Sequence, residues 1–257
     1  MSDPNAMLSE DERLARLAGE ARERKWPWLK PVDAATLVLL DRSGPAPKVL
    51  MGKRHAGHKF MPGLFVFPGG RSEKGDAAIA VAEDLAPQTL AHLSSRVVRP
   101  SMARARKLAL AAIRETFEET GLVIGKPATA TLPGAWADFA ATGHLPDLST
   151  LMYVARAITP PRRPKRFDTR FFVADASAVR HRIEGVVTPE SELTELAWLT
   201  LAETADLPLP TITRVILADL DEMIRAGGPR MGQPAPFYYE INRKFRREMI
   251  EVSAPLV

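Results

Sequence analysis

The chain of 257 residues contains no cysteine. That removes disulfides, thiolate nucleophiles and cysteine-ligated zinc or iron–sulfur sites together. No run approaches the roughly 20 apolar residues that a membrane helix needs, so no membrane partner is expected. Residues 1–26 (MSDPNAMLSEDERLARLAGEARERKW) lack an apolar h-region, and a cleaved secretory signal is not expected. A cytoplasmic protein is the simplest expectation. Charge of one sign is also scarce. The 35 Lys and Arg against 31 Asp and Glu leave only +4, far from the one-sided field of a nucleic-acid-coating protein, and no nucleic-acid partner is expected. Neither G-x-G-x-x-G after a strand nor G-x-x-x-x-G-K-[ST] occurs, and no internal repeat is visible.

What is present suits a sizeable core, with 46% hydrophobic and 26% charged residues and 22 prolines falling mostly between elements. Residues 5–25 read as an exposed amphipathic helix with Leu8, Leu14 and Leu17 as its apolar stripe. That stripe docks on the body or, alternatively, meets a partner or a second copy in a homodimer. Trp26-Pro27-Trp28 stops the helix. Strands are expected at Ala34–Asp41, Lys48–Arg54, Phe65–Phe67, Leu122–Ile124 and Glu195–Leu199. Leu151–Ile158 and Phe171–Val173 should form an antiparallel pair joined by the basic segment 159–170. Residues 77–97 look helical, interrupted at Pro87. A helix should run from an N-cap at Ser101 to Gly121, and another over 211–226, ending at Gly227-Gly228. The tail after Pro229 reads as irregular or helical. This order is α+β or a helix-flanked sheet, not regular βαβ alternation. It divides into an extension (1–32), a main domain (33–228) and a C-terminal tail (229–257).

The chemistry is concentrated in Ala111–Leu122, AAIRETFEETGL. On a helix, Glu115, Glu118 and Glu119 stand at i, i+3 and i+4 and share one face. Leu110, Ile113 and Phe117 lie on another face and anchor the helix. Like charges at these spacings repel by roughly 0.2–0.5 kcal/mol per pair. Acids in a last turn oppose the helix dipole at about 0.3–1 kcal/mol each. The arrangement makes sense if a cation sits among the carboxylates; the alternative is an ordinary solvated acidic face. Oxygen ligands with no sulfur or nearby histidine favour Mg²⁺ or Mn²⁺. Arg114, four residues before Glu118, can orient that carboxylate. Upstream, Phe67-Pro68-Gly69-Gly70 runs a strand into a double-glycine turn, which is simply a turn or lets a carbonyl approach a ligand closely.

Together these segments resemble the box of the Nudix hydrolase family, G-x5-E-x7-R-E-U-x-E-E-x-G-U, with U a bulky aliphatic residue. Gly70 matches its first glycine, Asp76 stands where the first glutamate belongs, and Arg114–Leu122 matches the second half, with Thr116 at one U position. Residues 77–113 intervene, 37 where the box has seven, an excess of 30. Such an insertion can be looped out, because closure costs only about 0.6 kcal/mol per doubling of length. A coenzyme A diphosphatase branch of the family also carries an insertion within its box, and both Phe60–Gly70 and Thr159–Ala174 look like that branch. Arg54, Gly63 and Phe67-Pro68-Gly69-Gly70 also fit the spacing of a second coenzyme A motif, in which His55 and His58-Lys59 replace a Ser and a Leu-Arg pair.

The resemblance implies an α+β, Nudix-like α/β/α sandwich with a mixed central sheet flanked by helices, plus a helical insertion at about 77–100. It implies metal-dependent hydrolysis of the phosphoanhydride in a nucleoside diphosphate linked to another group. The partner would be a small-molecule nucleotide, coenzyme A or acyl-coenzyme A. The alternatives are ADP-ribose, NADH or a nucleotide sugar, or a nucleotide-binding regulator without catalysis. Glu115, Glu118, Glu119 and the Gly70 carbonyl would bind Mg²⁺ or Mn²⁺, and Arg114 would position the carboxylates. Asp76 is a weaker candidate, since the insertion could displace it. The general base would be Glu119 or a loop glutamate among Glu190, Glu192 and Glu195. Arg54, Lys59, Arg166 and Arg170 are the candidate substrate contacts, the last two in a segment that also holds Arg162, Arg163 and Lys165; a solvated basic hairpin is the alternative. His55 and His58 read as surface residues, with metal ligation as the alternative.

Overall fold

The computed structural model describes residues 9–20, 25–58 and 61–252. Its centre is β1 (Val32–Asp41), a nearly continuous apolar run buried on both faces. β1 runs antiparallel to β2 (Lys48–Arg54) and parallel to β8 (Phe167–Asp175). The short β3 (Phe65–Val66) pairs with β2, and β4 (Gly69–Arg71) with β1. Antiparallel β7 (Met152–Ile158) and then parallel β11 (Ala235–Ile241) extend the sheet to one side, closed by β12 (Lys244–Ile250); β10 (Leu193–Thr200) forms the other edge. A small sheet of β6 (His144–Pro146), β5 (Leu122–Pro127) and β9 (Val179–Arg182) stands apart, with the short α4 (Ala137–Ala141) against β6. The expected α+β architecture with a mixed central sheet is observed.

Period-two alternation along β1 sorts the layers. Ala35, Leu37 and Leu39 pack with Leu108, Ala109 and Ala112 of α3 (Met102–Thr120). Val38 and Leu40 point the other way, to Val215, Ile216 and Leu220 of α5 (Thr211–Arg225) and to Leu17 of α1 (Glu10–Glu20). The helix α3 has the expected ends. The Ser101 hydroxyl accepts from the Arg104 N–H at 3.2 Å, and Gly121 caps the far end at φ 73°, its N–H on the Phe117 carbonyl at 2.8 Å. On the opposite side of the sheet, α1 is tied down by a buried ion cluster. Arg13 donates to Asp219 at 2.9 Å and also pairs with Glu222, while Asp219 accepts from the Tyr238 hydroxyl at 2.8 Å and from Arg247 at 3.3 Å.

Three expectations are corrected. Pro87 does not interrupt a helix but opens one, α2 (Pro87–Ser94), at the first position, where a missing N–H has no helical partner to lose. The insertion is therefore only partly helical: it leaves a 3₁₀ turn at Lys74–Ala78, runs irregularly over 79–86 and then enters α2. The chain after Pro229 is not an irregular or helical tail. Its two strands form a hairpin about Asn242-Arg243, both at positive φ as a two-residue type I′ turn requires. The segment expected as a tail thus supplies one edge of the central sheet. Leu8 and residues 21–24 of the expected N-terminal helix lie outside the described residues. Among those described, no helix is long and apolar enough to cross a membrane.

Replacing Gly121 with Ala forces a Cβ to 2.3 Å from the Ile183 carbonyl oxygen in a left-handed backbone. The variant is expected to lose more than about 2 kcal/mol, because the left-handed penalty adds to the displacement of the Ile183 backbone. Urea unfolding followed by circular dichroism measures it.

Candidate functional site

The pairing of β4 with β1 brings the double glycine beside the end of α3. The approach is so close that a Cβ on Gly70 would lie 2.4 Å from the Glu115 carboxyl. Only glycine leaves room for that carboxylate. One residue earlier, the Gly69 N–H donates to Glu119 Oε2 at 3.0 Å. The glycine turn and the acidic helix end, 50 residues apart in sequence at this bond, form one site.

Arg114 organises it from behind. Its buried guanidinium donates to Asp76 Oδ1 at 3.0 Å, to Glu118 Oε2 at 2.8 Å and to the Arg71 carbonyl at 3.0 Å, and pairs with Glu115 Oε1 at 3.0 Å. Asp76 is itself buried and accepts from the Trp136 indole N–H at 3.1 Å and from the Glu73 N–H at 2.8 Å. The insertion therefore does not displace Asp76. It leaves Asp76 in place as the counter-charge of Arg114, turned away from the cleft. Trp136 was not singled out in the sequence; a lone indole between loops gives no signal until its partner is known.

In front of the glycines lies a cleft of about 960 Å³. Glu115, Gly69, Gly70 and Arg71 form one end, with Arg54, His58 and Glu192 beside them. The Arg54 guanidinium donates to Glu192 Oε1 at 2.6 Å and lies 3.0 Å from His58 Nδ1. His58, expected on the surface, is half-buried in this cluster. Glu192 is the loop acid that reaches the site. Glu195 is exposed on β10, opposite Lys53, and does not line the cleft, while Glu190 sits in the exposed loop before it.

Burial sets the electrostatics. It pushes the Glu115 carboxyl up to about 7, with Arg114 opposing and Glu118 adding to the rise. Glu119 is 7% exposed, and burial, reinforced by Glu192, lifts it well above the ordinary carboxylate range. Glu118 is raised by burial too, against the pull of Arg114. Helical spacing places the three acids on one side of α3, but their carboxylates are drawn apart, Glu119 to Gly69 and Glu118 to Arg114. Among the described residues, no three acidic, histidine or cysteine groups converge into a ready metal cage in this side-chain arrangement. The donor set nonetheless suits a hard divalent cation. It offers carboxylate oxygens alone, crowded enough to hold protons, and a buried Glu119 whose described hydrogen bonding is a single N–H.

Two basic candidates are reassigned. Arg170 is 1% exposed, on the α3 face of the sheet, where it binds Asp33 Oδ1 at 3.0 Å and the Asp168 carbonyl at 2.7 Å. Side chains alternate along β8, so Thr169 and Phe171 line the cleft and Arg170 does not. Arg166 does line the cleft, but it donates to the backbone carbonyls of Thr159 and Leu29. Lys59 lies outside the described residues.

Among solved structures, the chain is similar to a Nudix hydrolase from Alicyclobacillus acidocaldarius, at 26% identity and TM-score 0.54 over 73% of this chain and 90% of that one. Nudix hydrolase RenU from M. smegmatis aligns at 18% identity and TM-score 0.41, over 80% and 94% of the two chains. The Nudix domain of Shewanella oneidensis NrtR, solved with ADP ribose, aligns at 16% and 0.44, over 84% and 99%. No family model and no curated protein matches. The Alicyclobacillus likeness identifies the α+β architecture as Nudix-like.

Removing the Asp76 carboxylate leaves Arg114 without its most buried partner and the Trp136 indole without its acceptor. Asp76→Ala is expected to destabilise the chain by about 3 kcal/mol, the typical loss on breaking a buried pair from one side. Trp136→Phe, which leaves the ion pair intact, should cost less, about 1 kcal/mol plus any packing loss. Denaturant midpoints of the two variants check the order.

Proposed function

We propose that the chain is a Mg²⁺- or Mn²⁺-dependent diphosphatase that hydrolyses the phosphoanhydride of a nucleotide, with coenzyme A or an acyl-coenzyme A as substrate. The observation that carries this reading is the meeting of Glu115 and Glu119 with Gly69-Gly70 at the end of a cleft large enough for a nucleotide. Glu115, Glu118 and Glu119 would hold the cation, with the Gly70 carbonyl beside them. When bound, the cation neutralises charge on the phosphate oxygens and lowers the pKa of the attacking water. Arg114 keeps Glu115 and Glu118 in reach of one another. Arg71, which lines the cleft next to Gly70, and Arg54 offer positive charge to the diphosphate. Glu119, or Glu192 held by Arg54 at the cleft edge, would take the proton from the attacking water. The similarity to a solved Nudix hydrolase supports the reaction class, and the resemblance of Phe60–Gly70 and Thr159–Ala174 to the coenzyme A branch supports the substrate.

A panel of coenzyme A, octanoyl-coenzyme A, ADP-ribose and NADH with either metal separates the substrates. Coenzyme A compounds should be cut at the diphosphate and the others at least tenfold more slowly; faster turnover of ADP-ribose would reassign the substrate. Glu118→Gln and Glu119→Gln should lower kcat/KM by roughly a thousandfold, about 4 kcal/mol of transition-state stabilisation, with unchanged circular dichroism. Wild-type rates in both would remove them from the chemistry.

The raised carboxylates also fix a pH dependence. A carboxyl whose folded pKa lies above its unfolded value adds stability that is complete below the unfolded value and lost as pH rises through the folded one. For Glu115 that window runs from about 4.5 to about 7. Cation binding requires the deprotonated groups. The rise in melting temperature caused by 5 mM Mg²⁺ should therefore be near zero at pH 5 and grow to pH 8; a shift independent of pH would place the ion elsewhere.

A further inference from the structure

The cleft is far longer than the diphosphate site. From β4 its floor crosses β1, β8, β7 and β11 to β12. Neighbouring strands lie about 4.8 Å apart, so five steps span about 24 Å. The floor is a register row: Arg71 stands opposite Ala34, Ala34 opposite Thr169, Thr169 opposite Ala157, and Ala157 opposite Tyr238. The small side chains in the middle of that row give the trough its depth.

The side wall comes from the N-terminal segment. Leu29, Lys30 and, farther on, Leu17 of α1 all line the cleft. The Val32 N–H donates to the Arg166 carbonyl at 2.9 Å, and the Arg166 guanidinium donates to the Leu29 carbonyl and to the Thr159 carbonyl at 3.0 Å. Its cation sits 5.8 Å from the centre of the Trp28 ring. Arg166 thus clamps the wall to the floor. At the far end, Leu17, Ile212, Tyr238 and Phe245 meet, with Thr213 as a polar neighbour. Tyr238 does not offer its hydroxyl there, because it donates to Asp219 at 2.8 Å and accepts from Arg247 at 3.0 Å. The end is apolar and poor in partners for a sugar or a base.

We infer that the N-terminal segment is a specificity wall, positioned by Arg166, that selects a diphosphate substrate carrying a long apolar arm over one carrying a second ribose. The inference rests on the diphosphatase reading for the place of the phosphates. The wall itself is defined by the cleft. An octanoyl-coenzyme A would lay its diphosphate at the carboxylate end and its acyl chain between Leu29, Leu17 and Ile212, where burial of its methylenes favours binding. Arg166 acts through Leu29 as a positioning residue and makes no phosphate contact.

The test is calorimetric binding of octanoyl-coenzyme A and of ADP-ribose, in Mg²⁺, to the full chain carrying Glu118→Gln to slow turnover. Leu29→Asn and Ile212→Asn, each added to that background, should weaken octanoyl-coenzyme A about tenfold and ADP-ribose less than twofold. Arg166→Gln should give the same selective loss, and in the otherwise wild-type chain should raise KM for octanoyl-coenzyme A while leaving kcat within twofold. Equal effects on both ligands, or no effect from Leu29→Asn and Ile212→Asn, would overturn the wall; a loss of both ligands on Arg166→Gln would make Arg166 a phosphate contact instead. If the selective binding loss appears but the wild-type chain cleaves neither compound, the diphosphatase reading falls and the wall stands.

Discussion

The site depends on one buried guanidinium. Arg114 joins the 3₁₀ turn carrying Asp76, the backbone after the double glycine and two carboxylates of the helix end into a single unit. Three acids around one cation leave an excess of negative charge in a place poorly reached by water. Two effects therefore oppose each other: Arg114 favours the charged forms of Glu115 and Glu118, while burial favours protons on both and on Glu119, which turns to the Gly69 N–H instead. The divalent cation proposed for this site would relieve that excess, and its binding would be coupled to pH by the same groups.

The sheet turns this local unit into a binding site of defined depth. Its α3 face is sealed by alanines packed tightly on β1 and by the Asp33–Arg104–Arg170–Asp168 ion network. The opposite face is left partly uncovered because α5 and α1 cover it only in part, and the open strip becomes the cleft. Arg170 and Thr169, adjacent in sequence, thereby have unrelated roles, one buried in a charge network and one flooring the trough.

How much of this was readable beforehand follows the range of the interactions. The acidic helix end was legible because spacing of three and four residues fixes a shared face whatever the fold, and Ser101 and Gly121 marked its limits. The double glycine was legible as a turn, and the resemblance tied it to the helix. The roles of Arg166 and Arg170 were not, since period-two alternation says which residues share a face but not which face is covered. Asp76 read as the weaker candidate because 37 residues, 30 more than the box has, separate it from Arg114 in sequence, whereas in space the two are in contact. The β11–β12 hairpin was hidden by its charges: KFRREMI alternates poorly, and the turn that pairs it with PFYYEI is Asn-Arg rather than a glycine-bearing pair.

The cluster of Arg13, Asp219, Tyr238 and Arg247 has a bearing on how the molecule comes into being. Arg13 meets its partner Asp219 across 206 residues of sequence, and Glu10 meets Arg247 across 237. A ribosome therefore makes α1 206 residues ahead of the acid that neutralises Arg13. Until that stretch is made, Leu17 cannot enter the core that it shares with Val215, Leu220 and Tyr238. Closure of the trough by α1 waits for α5 and the β11–β12 hairpin.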